Sequence, residues 1–235
     1  MRKSVEDGRP WALVPVKRFS EAKQRLATAL APGERAELAR AMLHDVLAVL
    51  SRATTLAGVL VVTSDAQAAA LAQGYGAIVR DDPLEQGTNT AVRQGLEFLQ
   101  EQERPGVLVV PGDVPFLTSL EIREVVDALH RLPLVLVPAT RDGGTNLLAG
   151  TLPLSIAPAF GTESFARHLA DARARGIEPA VMCLKGLGHD VDTPADLVRP
   201  PSRAIRTCAA LDRISRPAPS PCSGRSLPTE EPLTT

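Results

Sequence analysis

The chain has 235 residues, 44% of them apolar, and a formal net charge of −1. That length is enough to bury one sizeable core, and the near-neutral balance excludes nucleic acid or a membrane surface as a partner. Three cysteines, Cys183, Cys208 and Cys222, are too few and too irregularly placed for a disulfide framework or a zinc site, so a reducing cytoplasm is the expected setting.

The start, MRKSVEDGRP, lacks the apolar run of a secretory signal, and runs such as VLVV and LPLVLVPA are far shorter than a membrane span. WALVPV then reads as a strand. APGERAELARAMLHDVLAVLSRA carries Pro32 and Gly33 at its start, and Leu38, Met42, Val46 and Val49 recur at helical spacing. GVLVVTSD is a strand, AQAAALAQG a short helix, AIVR a short strand and NTAVRQGLEFLQEQ a helix. VLVV, LVLVPA, TNLLAG and AVMCL read as further strands, with helices SLEIREVVDALH and ESFARHLADARARG among them. Strands alternating with helices predict an α/β domain with a mainly parallel sheet and helices on both faces. From Pro200 the composition turns to Pro, Ser, Arg and Thr. The expected organisation is one domain over 1–199 and a mostly disordered tail over 200–235, within which AIRTCAALDRI forms one or two helical turns.

In such sheets ligands bind beyond the carboxyl ends of the strands, where this chain places KR, TSD and PGD. Asp113 follows the strand VLVV between Pro111 and Pro115, which restrict the backbone. A carboxylate on a stiff turn suits a divalent metal; it also suits a turn aspartate bonding its own backbone. GHDVDTPADL adds Asp190 and Asp192, two apart and so on one side of an extended segment. Thr193, Pro194 and Asp196 read as a helix start, with Asp196 in a capping role. Three acids at one sheet edge look like a magnesium site. VPVKRFSEAKQRL supplies Lys17, Arg18, Lys23 and Arg25. Two ammonium groups beside magnesium suit a triphosphate, whereas a solvated helix face would pair Glu21 with Arg25. No Walker A loop occurs.

VPVKRFSEAKQRL, VVPGDVPFLT, GTN, PAFGTESFARHL and HDVDTPADL, in that order, resemble the 2-phospho-L-lactate and phosphoenolpyruvate guanylyltransferases of coenzyme F420 biosynthesis. The likeness runs from Trp11 to Leu197. It implies a single Rossmann-like domain of the nucleotide-diphospho-sugar transferase type. It also implies Mg2+ and transfer of GMP from GTP to the phosphate of a small phosphorylated acid. Phosphoenolpyruvate leads as acceptor, ahead of 2-phospho-L-lactate and 3-phospho-D-glycerate. The downstream transferase that uses the activated product becomes a candidate partner.

By position, the resemblance makes Asp113, Asp190 and Asp192 the metal carboxylates. Lys17 and Lys23 become triphosphate contacts, assisted by Arg18, and together with Asp113 form the catalytic set. Thr145, Gly161 and Ser164 match the acceptor-phosphate pocket, and Asn89 the nucleotide loop. The loop DDPLEQGTNTA departs from the commoner Gly-Leu-Asn form. His44 and His130 read as structural, His168 as a residue on a helix face, and His189 as an orienter of Asp190 or a surface residue. An ionised acceptor phosphate needs no general base, so positioning and charge neutralisation suffice. Two alternatives remain. One is another nucleotidyltransferase of this fold, of the molybdopterin or sugar-phosphate type, and the other is an inactive nucleotide-binding module.

Overall fold

Hydrophobic alternation within each strand decides the layering. Along β1 (Trp11–Val16), Ala12 and Val14 join one core cluster while Trp11 and Leu13 join another. β2 (Gly58–Thr63) does the same, with Val59 and Val61 on one side and Leu60 and Val62 on the other. A sheet apolar on both faces must be covered on both. Helices α1 (Pro32–Leu50), α2 (Ala66–Gly74), α4 (Ser119–Leu129) and α6 (Ile205–Ile214) contribute to the first cluster. Helices α3 (Thr88–Glu101) and α5 (Ser164–Ala174) contribute to the second.

The computed structural model describes residues 8–82, 86–197 and 204–214. Its sheet adds β3 (Ile78–Arg80), β4 (Gly106–Val109), β5 (Leu134–Pro138), β6 (Thr145–Thr151) and β7 (Ala180–Val181). The order is β3-β2-β1-β4-β6-β5-β7. All pairings are parallel except those of β6, which runs antiparallel to both β4 and β5. The reversal has a consequence for the site. Val109 pairs with Leu148, so the first residues of β6 lie at the carboxyl edge of β4. Loops after β1, β2, β3, β4 and β5, and the start of β6, therefore meet at one edge. This is the mixed, mainly parallel α/β sheet expected from the pattern. The expected strand AVMCL is shorter than its apolar run and ends at Val181, since it pairs only along β5.

The expected boundary between residues 199 and 200 lies outside the described residues, as do 215–235 and the Pro83–Glu85 part of the DDPLEQGTNTA loop. Beyond that boundary, however, the folded body continues. Helix α6 packs on α1, burying Ala204, Thr207, Ala210 and Leu211. Asp45 of α1 accepts hydrogen bonds from Arg206 N at 3.2 Å, Thr207 N at 2.8 Å and Thr207 Oγ1 at 2.7 Å. One carboxylate thus serves the first donors of a helix far along the chain. The Pro-rich composition on either side of AIRTCAALDRI hid this, since the helix shows its place only through its contacts with α1. None of the described helices is long and apolar enough to cross a membrane.

Asp45→Ala is expected to cost roughly 2 kcal/mol, through the lost cap and the unpaired Thr207 donors. A chain ending at Pro200 is expected to lose at least that much. Urea unfolding followed by circular dichroism measures both, and unchanged midpoints would show that α6 contributes nothing to the domain.

Candidate active site

The loop after β1 turns back through two short 3-10 helices, Phe19–Glu21 and Gln24–Leu26. Asp65 anchors its first part. One carboxylate oxygen caps α2 through Gln67 N and Ala68 N, and the other accepts from Phe19 N at 2.8 Å. Between the two turns Lys23 adopts the left-handed region, φ 55° and ψ 42°. A side chain there is strained, and surrounding contacts must hold it.

Those contacts are ionic. Lys23 Nζ lies 2.6 Å from Asp113 Oδ2 and 3.4 Å from Asp192 Oδ1, with its side chain only 5% exposed. Burial alone would lower its pKa, but Asp113 and then Asp192 outweigh it and hold the ammonium above its ordinary value. Arg25 reaches Asp192 Oδ2 at 3.0 Å and Asp142 Oδ2 at 3.5 Å, rather than serving a solvated helix face. Asp190 takes Asn146 Nδ2 at 3.3 Å. Its pKa is raised, first by burial and then by the charge of Asp113.

The structure also explains how these acids are delivered. Val191 N donates to Asp113 O, placing Asp190 and Asp192 on either side of the Asp113 turn. Thr118 and Glu121 form a reciprocal capping box at the start of α4, and Glu121 Oε1 accepts from Gly186 N at 2.6 Å. A Cβ on Gly186 would stand 2.2 Å from Phe116 O, so only glycine lets the two loops approach this closely. Asp196 accepts from Thr193 Oγ1, Thr193 N and Asp192 N, the capping role read from sequence, and also pairs with Arg141 at 2.8 Å.

The three acids and Lys23 therefore come together. Among the described residues, no group of three or more acid, histidine or cysteine side chains is arranged to hold a metal ion. Lys23 supplies the cation at the point where Asp113 and Asp192 converge. The chemistry of the set still fits a hard divalent ion: the donors are carboxylate oxygens, and Asp113 and Asp190 repel. Lys17 and Arg18 are exposed, and Lys17 lines the same cleft as Lys23, Arg25, Asp113 and Asp192.

A second cluster lies at the start of β6. Thr145 and Ser164 come together, with Ser164 Oγ donating to Thr145 Oγ1 at 3.2 Å, and both residues are largely buried. Behind them stands His168, fully buried and missed at the sequence level. Ala159 N–H can only donate, and it meets His168 Nε2 at 2.8 Å. The neutral ring therefore carries its proton on Nδ1, 2.9 Å from Thr145 Oγ1. Thr145 Oγ1 accepts twice and keeps its own hydrogen.

Gly161 (φ 128°) lies exposed in the preceding loop. Thr162 does not cap α5; the N-cap is Glu163, without a side-chain bond. Two backbone N–H groups at the helix start are already engaged, Ser164 N by Gly161 O and Phe165 N by Gly143 O. Gly143 sits at φ 68°, where a Cβ would approach the Glu163 carboxylate to 2.8 Å. Asn89, expected in the nucleotide loop, spends its amide on the protein backbone. Its amide brackets the Phe160 backbone, accepting from N at 2.7 Å and donating to O at 3.0 Å. His189 packs its ring against Phe116.

The His168 pKa falls to about 4, mainly through burial and then through the nearby Arg167 charge. Its folded pKa lies below the unfolded value of 6.5, so its contribution is complete above pH 6.5 and lost as pH falls toward 4. Wild-type unfolding free energy is expected to drop by roughly 3 kcal/mol more than that of His168→Gln across this window. Parallel urea titrations at pH 7 and pH 4 give the difference; equal pH dependence would mean that the imidazole is not held neutral.

The family model described as "Guanylyl transferase CofC like" matches residues 11–199. A phosphoenolpyruvate guanylyltransferase from Sphaerobacter thermophilus is 41% identical over 186 residues, covering 79% of this chain and 89% of that protein. A 3-phospho-D-glycerate guanylyltransferase from Phenylobacterium zucineum is 39% identical over 191 residues, covering 80% and 87%. Among solved structures, one from Desulfovibrio desulfuricans G20, described as a nucleotide-diphospho-sugar transferase, superposes with a TM-score of 0.70. It is 17% identical and covers 87% of this chain and 94% of that one, a likeness of fold. With five ordered motifs, an acid–lysine cluster at the sheet edge and a match spanning the domain, this chain belongs to the CofC-like guanylyl transferase family, whose members are nucleotidyltransferases.

Proposed function

We propose that the protein transfers GMP from GTP to the phosphate of phosphoenolpyruvate, or otherwise of 2-phospho-L-lactate or 3-phospho-D-glycerate, within coenzyme F420 biosynthesis. The observation that carries this reading is the Lys23–Asp113–Asp192 cluster, which opens into a cleft shared with Lys17 and Arg25. Lys17 and Lys23 take the triphosphate, with Arg18 beside them. Asp113, Asp190 and Asp192 would hold Mg2+, which supplies charge neutralisation at the α-phosphate when bound. Thr145 offers its remaining hydrogen to the acceptor phosphate, and Gly161 lets the loop backbone approach it. Ser164 acts by holding Thr145.

In the reaction an oxygen of the acceptor phosphate attacks the α-phosphorus. The bond to the bridging α–β oxygen breaks, and pyrophosphate leaves with that electron pair. The nucleophile is already ionised at neutral pH, so no side chain has to remove a proton. Lys23, drawn from its carboxylates, stabilises charge on the departing pyrophosphate. The activated product then passes to a downstream transferase, the candidate partner, and the cytoplasm is the setting proposed for both. Relatives of nearly equal identity carry different acceptors in their names, so overall likeness does not select one. Phosphoenolpyruvate is the leading acceptor.

A competition among the three acceptors with GTP and Mg2+, read by pyrophosphate release and product mass, tests the reading; no release with any of them would overturn it. Asp113→Asn and Asp192→Asn are each expected to lower turnover at least about 100-fold while the protein stays folded. Near-normal turnover at low magnesium would remove them from the metal set. Thr145→Ala is expected to raise the acceptor KM roughly 10-fold and leave the GTP KM unchanged, the value of one charge-assisted hydrogen bond. The reverse pattern would exchange the two pockets.

A further inference from the structure

We propose that Asp82 determines base specificity, its carboxylate accepting from N1–H and the exocyclic amino group of guanine. This rests on the GMP-transfer reading above. Asp82 follows β3 and is 8% exposed, and its Oδ1 is buried with no hydrogen-bond partner among the described residues. A buried carboxylate oxygen without a donor is costly, and such groups persist where a ligand supplies the donor. The side chain lines a lobe with Pro15, Val16, Ser64 and Gly87. This lobe is continuous with the cleft of Lys23 and Asp113, since Lys17, Glu21 and Thr88 border both.

Position along the sheet edge separates a base contact from a sugar contact. Asp82 follows β3 and Asp113 follows β4, with β2 and β1 between them. Three strand spacings amount to about 14 Å. With the α-phosphate at the acid–lysine cluster, the ribose hydroxyls lie one ring away, too near to reach Asp82. The far edge of the base lies two rings further out, where the lobe ends. Pro15, Val16 and Ala91 give that lobe apolar walls for a flat ring.

The hydrogen-bond pattern then selects the base. Guanine presents two adjacent donors, N1–H and the 2-amino group, to the two oxygens of one carboxylate. Adenine turns an acceptor nitrogen toward Asp82 and has no 2-amino group, so the carboxylate stays unpaired and repelled. Hypoxanthine keeps N1–H alone and ranks between them.

Isothermal titration of the full chain with GTP, ITP, ATP and XTP, each with Mg2+, tests the assignment. Wild type is expected to bind GTP most tightly, ITP less and ATP least. Asp82→Asn is expected to weaken GTP roughly 10- to 100-fold and leave ATP nearly unchanged. It is also expected to gain XTP, because the asparagine amide donates to the oxygen that replaces the 2-amino group. That gain also shows that the variant is folded. An unchanged GTP-to-ATP ratio in Asp82→Asn would overturn the proposal, and so would an equal loss for all four nucleotides. Selective GTP binding by wild type without GMP transfer would sink the function above and leave Asp82 in place; no GTP binding at all would sink both.

Discussion

A buried ammonium group governs this end of the molecule. Lys23 sits in a left-handed backbone conformation with its side chain almost wholly enclosed, a state unfavourable in both backbone and solvation. Asp113 and Asp192 make it stable, and they come from loops 79 residues apart in the chain. Removing Asp113 or Asp192 leaves the enclosed ammonium short of a partner, although the 35% and 26% exposure of these two carboxylates lets solvent screen part of the loss. The apolar layers would still stack without Lys23. The three loops, however, would lose the charge that fixes their mutual position.

Around this point the electrostatics are unbalanced toward the negative. Asp113, Asp142, Asp190 and Asp192 gather near Lys23 and Arg25, and the pKa of Asp190 is raised first by its burial and then by the charge of Asp113. A further cation relieves that surplus, and a polyphosphate arriving with its counter-ion brings the cation along. The neutral, strongly depressed His168 shows the opposite design. There the chain excludes charge and uses one imidazole to fix hydroxyl directions. An ionic pocket and an uncharged, hydrogen-bonded one thus lie side by side at one sheet edge.

Much of this could be read from residue order. The alternation in WALVPV and GVLVVT predicts a sheet buried on both faces, since every strand position is apolar, and that is what the two core clusters contain. Asp113 stands out because two prolines bracket it after an apolar strand, a position that also suits a turn aspartate, and Asp190 and Asp192 because they lie two apart beside a helix start. Other features depend on long-range geometry that local pattern does not encode. His168 looked like an ordinary helix residue, and only the approach of Ala159 and Thr145 makes it a hub. Asn89 sat in a plausible nucleotide loop, yet its amide closes on Phe160, 71 residues away. A solvated helix face would have paired Arg25 with Glu21, but its turn is 3-10 and it reaches Asp192 instead. Helix α6 was hidden by the Pro-rich composition around it, because its stability comes from Asp45 and α1 rather than from its own propensity.

Strand β6 enters the sheet against the direction of its neighbours and delivers two consecutive residues to the working edge. Thr145 turns toward His168 and Ser164, while Asn146 turns toward Asp190. One peptide unit, about 3.8 Å between Cα atoms, separates the uncharged pocket from the ionic one. A register slip of one residue would exchange the two side chains and present an amide where a hydroxyl belongs. The β5–β6 register already shifts beside this pair, between Val137 and Pro138, so Thr145 and Asn146 are presented from an irregularity at the end of the ladder. A change at either position therefore disturbs both neighbourhoods, and the 139–144 loop ahead of them is held as well, through Phe165 N on Gly143 O and Thr140 N on Gly188 O.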